Sequence, residues 1–211
     1  MKIQGIGLLL ASMTLLAGCA VGNKYDYDAS RANLAYSGAR RVTVAAWEQR
    51  KYVLSGDKKP DFVGLQRGNM GVPFDVVTGS KQPLAMEMTG SLILSLTGAG
   101  FTASPVTLTQ KDTEGSAVYA LLRNKPARAV LLRVDNWESD TFKNPTVYYD
   151  LTLNVYDGSG RKLAAKNTKG SQDLEGSFFN APGKAKKAVP EAFRLKIEQL
   201  LNAPEIVAAL K

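Results

Sequence analysis

The feature that most constrains the fold of this chain is an alternation of side chains in its second half. From Val147 to Val155 every second residue is apolar or aromatic, and the residues between them are mostly polar. Period two is the spacing of a half-buried β-strand, because successive strand side chains point to opposite faces. The Asp157–Gly160 stretch (Asp-Gly-Ser-Gly) follows and predicts a hairpin turn into a further strand. The pattern therefore predicts a sheet with one face covered by other elements.

The other predicted elements arrange themselves around this strand. An apolar residue at every fourth position from Leu84 to Leu96 indicates an amphipathic helix, and a similar stripe runs from Val189 to Leu200. The predicted order is strand 42–46, helix 83–98, strand 101–108, helix 114–124, strand 129–134, strand 147–156, a weaker strand from 161, and a C-terminal helix. This order, β-α-β-α-β-β-β-α, indicates a single α/β (α+β) domain with a mixed β-sheet and helices packed on one face.

The N-terminal segment predicts export from the cytoplasm. Lys2 precedes a short apolar run from Ile6 to Leu16, and Ala17-Gly18 precede Cys19. The run is too short to cross a hydrocarbon core, which needs about 20 residues. The Leu-Ala-Gly-Cys ending resembles the lipobox of bacterial lipoproteins. That resemblance implies cleavage before Cys19, lipidation of its thiol and acylation of the new amine. Ala20 in the next position implies sorting to the outer membrane.

Three regions follow from these patterns. Residues 1–18 form the signal peptide, residues 19–39 a flexible lipid-anchored tether, and residues 40–211 a periplasmic α/β domain. The tether prediction depends on a polar, aperiodic composition. Tyr25, Tyr27 and Tyr36 make the stretch more aromatic than an ordinary linker, so the alternative is that part of it docks on the domain or on the membrane interface.

Composition excludes most hydrolytic chemistry. The chain has no histidine, and Cys19 is its only cysteine. Ser-His-Asp and Cys-His nucleophile systems, histidine-based zinc sites and disulfides are therefore excluded. Carboxylate pairs, Ser-Lys dyads and oxygen-ligated cations remain. The prediction is a non-enzymatic protein with no cofactor and no metal site.

Net charge bears on the partners. A formal charge of +8 favours anionic groups such as lipid head groups or peptidoglycan carboxylates, although a simply solvated surface explains it as well. Nucleic acid is not expected outside the cytoplasm. The expected partners are the membrane, reached through the lipid on Cys19, and an envelope protein, peptidoglycan or anionic lipid.

The best candidate for a partner-binding surface is the stretch 55–82, which lacks periodicity and is rich in glycine. Long loops of this kind are often functional. The candidate residues are cations for anionic groups and apolar anchors: Lys58, Lys59 and Arg67, with Phe62, Met70 and Phe74. The alternative is that Phe62 and Phe74 only fasten the loop to the domain.

Two weaker motifs carry chemistry. Ser55–Lys58 and Ser159–Lys162 match the S-x-x-K acylation pattern, but both lie in turn sequences and no companion motif is present. Asp135, Glu138 and Asp140 form an acidic cluster that suits either a Ca²⁺ site or a glycosidase acid, and is more often a solvated turn.

With these elements in order, the chain resembles the YajG-like family of bacterial outer-membrane lipoproteins. The resemblance is carried by the lipobox and by the stretches Val42–Arg50, Gly98–Phe101, Tyr149–Val155 and Leu200–Ile206. It spans most of residues 40–210, whereas the stretch 55–82 departs from it. The family is uncharacterised, so the resemblance implies a cell-envelope role and no particular activity.

The leading hypothesis is a non-catalytic outer-membrane lipoprotein whose periplasmic domain docks an envelope partner. One alternative is a lipid-anchored peptidoglycan or glycan hydrolase that uses carboxylates. Another is a lipid or lipopolysaccharide carrier, which needs an apolar groove between the sheet and a helix.

Overall fold

The computed structural model describes residues 23–68, 70–174 and 181–211. Within these ranges the chain forms eight strands and five helices. The strands are β1 Lys24–Tyr25, β2 Arg41–Glu48, β3 Phe62–Arg67, β4 Pro73–Thr78, β5 Thr102–Pro105, β6 Arg128–Thr141, β7 Pro145–Asp157 and β8 Lys162–Asp173. The helices are α1 Lys51–Leu54, α2 Leu84–Gly98, α3 Glu114–Leu122, α4 Ala181–Leu201 and α5 Pro204–Leu210. The predicted single domain of mixed α+β class is confirmed.

The sheet is built around β6, which has different partners along its two edges. One edge pairs antiparallel with β7 along its whole length, and β7 pairs with β8. The other edge pairs parallel first with β2, as far as Val134, and then with β3, from Ser139 onward. β5 extends the β2 branch, whereas β4 and β1 extend the β3 branch. The sheet therefore forks on one side of β6.

A buried ion pair occupies the fork. Arg50 is 0% exposed, and its guanidinium donates two hydrogen bonds to the Glu48 carboxylate. Nε lies 2.8 Å from Oε1, and Nη2 lies 2.6 Å from Oε2. The guanidinium also donates to the carbonyl oxygens of Phe62 (2.6 Å), Pro60 (3.2 Å) and Trp137 (3.4 Å). Glu48 is the last residue of β2, Phe62 is the first of β3, and Trp137 lies on the stretch of β6 between its two parallel partners. Burial by itself would lower the pKa of Arg50, but the hydrogen bonds and charge of Glu48 outweigh it and raise that pKa.

Helices cover both faces of the sheet. Helices α2, α4 and α5 pack on the face that carries Val44, Leu132 and Leu153, as predicted for helices on one face. Helix α3 differs, because it packs through Ala117 and Leu121 on the opposite face. The strands β2 and β6 are apolar on both faces in this region, so a second layer is needed to cover Leu131 and its neighbours.

The predicted tether is corrected over its described part. From residue 23 onward the chain packs against the domain, with Tyr25 and Tyr27 both 0% exposed. The Tyr27 ring meets Trp137 and Phe193 edge-on, and Trp137 Nε1–H donates to the Tyr27 hydroxyl oxygen at 3.0 Å. Side chains of α2 accept hydrogen bonds from the backbone of this stretch; for example, Glu87 Oε2 accepts from the Tyr27 N–H. Of the three tyrosines that distinguish this stretch from a linker, Tyr25 and Tyr27 are core residues and Tyr36 packs against the core partly buried. Cys19 and the predicted signal peptide lie outside the described residues.

The predicted loop 55–82 is also corrected. It begins directly after α1 and contains the hairpin β3–β4, whose strands pair antiparallel from Phe62 with Val77 to Arg67 with Pro73. A bulge between Phe62 and Gly64 breaks the side-chain alternation of β3. Gly64 sits so close to β6 that a Cβ there would lie 2.4 Å from the carbonyl oxygen of Ser139. The bulge and the glycine explain why the sequence of β3 lacks the regular alternation of apolar and polar residues.

The fork gives the first prediction. Arg50→Met should lower the free energy of unfolding by about 3–5 kcal/mol, because it leaves the Glu48 carboxylate buried without its partner. Urea denaturation of the full chain measures the change.

Arg133→Met is the matched control, since Arg133 pairs with Asp135 at the surface and its side chain is 44% exposed. Its cost should stay below about 1 kcal/mol. Equal losses in the two variants would contradict the role assigned to the fork.

Candidate functional site

The structure divides the six predicted partner-binding residues into internal and surface groups. Phe62 is 2% exposed and packs edge-on against the ring of Tyr52, so it fastens the hairpin to the domain. Lys58 and Arg67 are each engaged by an acid: Lys58 Nζ lies 2.5 Å from Asp75, and Arg67 grips Asp140 with two nitrogens at 2.6–3.1 Å. These three are poor candidates for contacting a partner.

The other three lie nearer the solvent. Lys59 is exposed and Met70 is 93% exposed at the tip of the β3–β4 hairpin. Phe74 is half-buried, and its ring lies against the turn at Gly68. The hairpin tip is therefore the part of the predicted surface that remains available.

The acidic cluster does not gather into one site. Asp135 pairs with Arg133 at 2.7 Å, and Asp140 pairs with Arg67. Glu138 is half-buried, and burial raises the pKa of its carboxyl, with a further rise from the Asp140 charge. Among the described residues no group of three acidic, histidine or cysteine side chains is placed to hold a metal ion.

The S-x-x-K motifs are not Ser-Lys dyads. Ser55 Oγ donates to Asp57, and the lysine of that motif pairs with Asp75. Ser159 Oγ donates to Asp157, and Lys162 pairs with Glu114 at 2.7 Å. Each serine and each lysine thus has a separate acidic partner, and neither lysine activates a hydroxyl.

An apolar groove of about 300 Å³ lies between the sheet and α2. Its floor is the end of β2, one wall is the first turn of α2, and the other wall is the segment that follows β5. The lining is mostly apolar with a neutral polar rim, and comprises Ala46, Glu48, Pro60, Pro83, Ala85, Met86, Thr89 and residues 105–110. We call this surface the α2 groove.

The α2 groove exists because β5 is shorter than its neighbour. β5 ends at Pro105, opposite Val44, and the last bond on this edge runs from the Val106 N–H to the Val44 carbonyl. The next inward-facing backbone donor, the Ala46 N–H, is taken by Thr89 Oγ1 at 2.8 Å. Because a side chain caps this edge, the groove suits an occupant that inserts apolar side chains better than one that adds a strand.

The single ionisable group in the lining is neutralised. The Glu48 carboxylate is bound by Arg50 behind the groove wall, and its exposed fraction is 7%. The α2 groove therefore presents an apolar centre without a free charge, while Met86 at its mouth is 47% exposed.

Sequence reasoning missed this groove. Its residues come from four separate stretches of the chain, and none of them forms a motif. Two prolines were the available sequence signal. Pro83 favours the start of a helix, and Pro105, followed by threonines, favours the end of a strand.

Comparisons with known proteins define the fold. No family model matches this sequence, and no curated protein does either. Among solved structures, protein XCC0632 from Xanthomonas campestris, described by the family model DUF330, aligns with a TM-score of 0.53 at 13% identity, covering 84% of this chain and 91% of that chain. Lipoprotein GNA1162 from Neisseria meningitidis aligns with a TM-score of 0.37 at 12% identity, covering 74% and 98%. The first of these likenesses shows a shared fold.

Glu138 gives a prediction on pH. A carboxyl whose pKa is raised above its ordinary value of 4.5 by folding costs stability once it ionises. That cost is absent at pH values below the unfolded pKa and complete above the folded one. Glu138→Gln should therefore raise the free energy of unfolding at pH 7, and the gain should disappear below pH about 4. Urea denaturation at both pH values measures it.

Asp157→Asn is the control, and its expected effect on the free energy of unfolding at pH 7 has the opposite sign: the substitution should lower it. The pKa of Asp157 is lowered to about 2, chiefly by the hydrogen bond from the Ser159 hydroxyl. Its carboxylate contributes stability above the unfolded pKa, and the contribution is lost as the pH falls through about 2. A Glu138→Gln variant that is less stable than the parent at pH 7 would contradict the assigned environment.

Proposed function

We propose that this chain is an outer-membrane lipoprotein, anchored through Cys19, whose periplasmic domain docks a cell-envelope protein in the α2 groove without catalysis. The lipobox sequence supports the anchor, and the YajG-like resemblance belongs to the same proposal. Among the described residues no helix is both long and apolar enough to span a bilayer.

The observation that carries the docking proposal is the uncharged α2 groove with its polar rim. An apolar centre surrounded by neutral polar groups is the arrangement of protein interfaces. Thr107, Thr109 and Gln110 supply the rim, and Met86 supplies an adaptable apolar contact. The proposed occupant is a segment of an envelope protein that presents apolar side chains and no acidic ones beside Glu48.

The two alternative functions receive less support from the site. A phospholipid or lipopolysaccharide carrier needs a cation for the anionic head group, and no lysine or arginine lines the α2 groove. A carboxylate hydrolase needs an acid and a base in one cleft. Glu138 has the raised pKa of an acid, but Asp140 beside it is held by Arg67.

The anchor is tested at Cys19. Cys19→Ala removes the thiol that receives the lipid, so the variant should accumulate as an unprocessed or soluble precursor, whereas the native chain should fractionate with the outer membrane. Sucrose-gradient fractionation measures the distribution. Native protein recovered in the soluble periplasm would end the lipoprotein proposal.

The α2 groove is tested with a photo-crosslinking residue at Met86 in the full chain, expressed in its own cells. Adducts formed there should fall at least about tenfold in Thr107→Trp, because an indole at the rim fills the groove and a blocked hot spot costs 2 kcal/mol or more.

Thr97→Trp is the matched control, since it adds the same side chain at an exposed position on the last turn of α2. The control should keep its adducts. Undiminished crosslinking in Thr107→Trp would show that the partner binds elsewhere.

A further inference from the structure

Two hairpin turns lie side by side at one end of the sheet. β3 and β6 run parallel, and Gln66 pairs with Thr141 where both strands end. The turn after β3 carries Met70 and Val72, and the turn after β6 carries Phe142. Their exposed fractions are 93%, 53% and 49%. Single exposed apolar side chains are ordinary on soluble proteins, but here three share one end.

The first strand of the domain runs away from these turns. β1 is parallel to β4 with Lys24 opposite Val77, so Asn23, the first described residue, lies level with Val76, three residues along β4 from Pro73 at the turn. Four peptide units link Asn23 to Cys19, so the two lie at most about 14 Å apart. If Cys19 carries lipid, Asn23 is held within that distance of the bilayer surface, and the turns extend about 10 Å beyond the level of Asn23.

The same end carries unpaired positive charge. Asn23 Nδ2 donates to the Pro182 carbonyl, so the first turn of α4 lies beside the start of β1. Phe193, farther along α4, packs on Trp137, so the helix runs away from the turns and its first residues are those nearest to them. Lys184, Lys186 and Lys187 on the first two turns are exposed, and none forms an ion pair with another described residue.

Helix electrostatics does not explain these lysines. Cations near a helix N-terminus oppose the helix dipole, at a cost of some tenths of a kcal/mol each. Of the described acids beside the hairpin turns, Asp75 and Asp140 are paired with Lys58 and Arg67, and Asp173 at the end of β8 accepts a hydrogen bond from the Thr146 hydroxyl. The three lysines outnumber this one acid. The end therefore keeps a net positive charge that is open to an anionic partner.

We propose that this end of the domain, which we call the lipid-facing end, rests on the anionic bilayer surface to which Cys19 is anchored. It consists of Met70, Val72 and Phe142 with Lys184, Lys186 and Lys187. The apolar side chains enter the interface and the lysines meet lipid phosphates. The inference rests on the proposed anchoring, and adds to it a defined orientation of the domain.

A membrane fits this surface better than a protein partner does. The short link to Cys19 holds Asn23 within about 14 Å of the bilayer surface. Because the turns extend about 10 Å beyond Asn23, little room is left for a protein beneath the lipid-facing end. The combination of acyl chains with a basic, apolar surface is also the usual two-signal arrangement of peripheral membrane proteins. Each lysine near an anionic surface adds to the attraction, and apolar side chains on turns reach the interface without unfolding a strand.

The test uses the lipidated full chain in vesicles of phosphatidylethanolamine and phosphatidylglycerol. Because the thiol of Cys19 is blocked by lipid, a fluorophore attaches only to an introduced cysteine. Met70→Cys and Phe142→Cys place it on the two turns, and brominated lipids serve as the quencher. At both positions we expect the fluorophore's emission to shift to shorter wavelengths on vesicle binding. Brominated lipid should quench most of that emission.

Ser159→Cys is the control, because it lies in the turn after β7, about 40 Å along that strand from the lipid-facing end. Its emission should not change with brominated lipid. An unquenched label at position 70 and at position 142 in protein that floats with the vesicles would overturn the inference and leave the anchor intact; it would favour a protein partner at this end. A full chain that its own cells leave without lipid at Cys19, and that does not float with vesicles, would overturn the anchor and the orientation with it.

Charge reversal tests the lysines separately. Lys184→Glu with Lys187→Glu should weaken quenching at position 70, and Glu near a helix start favours helix formation, so folding is retained. Arg123→Glu with Lys125→Glu, at the opposite end of the sheet, makes the same change in net charge and should leave quenching unaltered. Equal effects of the two pairs would contradict a specific role for the lipid-facing end.

Discussion

The ion pair of Arg50 and Glu48 is the interaction on which the sheet depends. β6 is longer than either of its partners on one edge, so β2 must stop and β3 must begin beside it. A fork of this kind leaves backbone carbonyl groups that no strand can pair. Arg50 donates to the carbonyl groups of Phe62 and Trp137, and to that of Pro60 in the preceding turn, with one guanidinium. Glu48 balances its charge inside the protein. The free-energy cost of burying these two charges is offset because every N–H group of the guanidinium has an acceptor.

The fork also determines which surfaces stay open. On the β2 branch, helices cover both faces, and the short β5 leaves the α2 groove beside the end of β2. On the β3 branch, Tyr27 and α4 cover one face. The other face carries the ion pair of Arg67 with Asp140 at the end of β3, while Phe62 at its start is buried against Tyr52. The apolar groove and the charged face are thus consequences of two branches with different neighbours.

The two proposed surfaces lie at different heights on one sheet. Glu48, at the α2 groove, is level with Val134, whereas the lipid-facing end begins beyond Thr141. Seven residues of strand separate the two levels, which is roughly 20 Å. A domain that stands on the bilayer by its turns would therefore hold the groove clear of the head groups. Anchoring and docking would then be carried by separate parts of one rigid sheet.

The sequence by itself determined the elements whose periodicity is regular: the strand from Val147, the helix from Leu84 and the C-terminal helix all lie where the patterns predict. Tertiary structure decided the rest. The hairpin of β3 and β4 could not be predicted, because a bulge at Gly64 breaks the alternation of apolar and polar side chains. The stretch from residue 23 has the sequence of a linker because side chains of distant helices, rather than a periodic pattern of its own, hold its backbone in place. The α2 groove depends on where strands of different length stop, and only long-range pairing sets those positions.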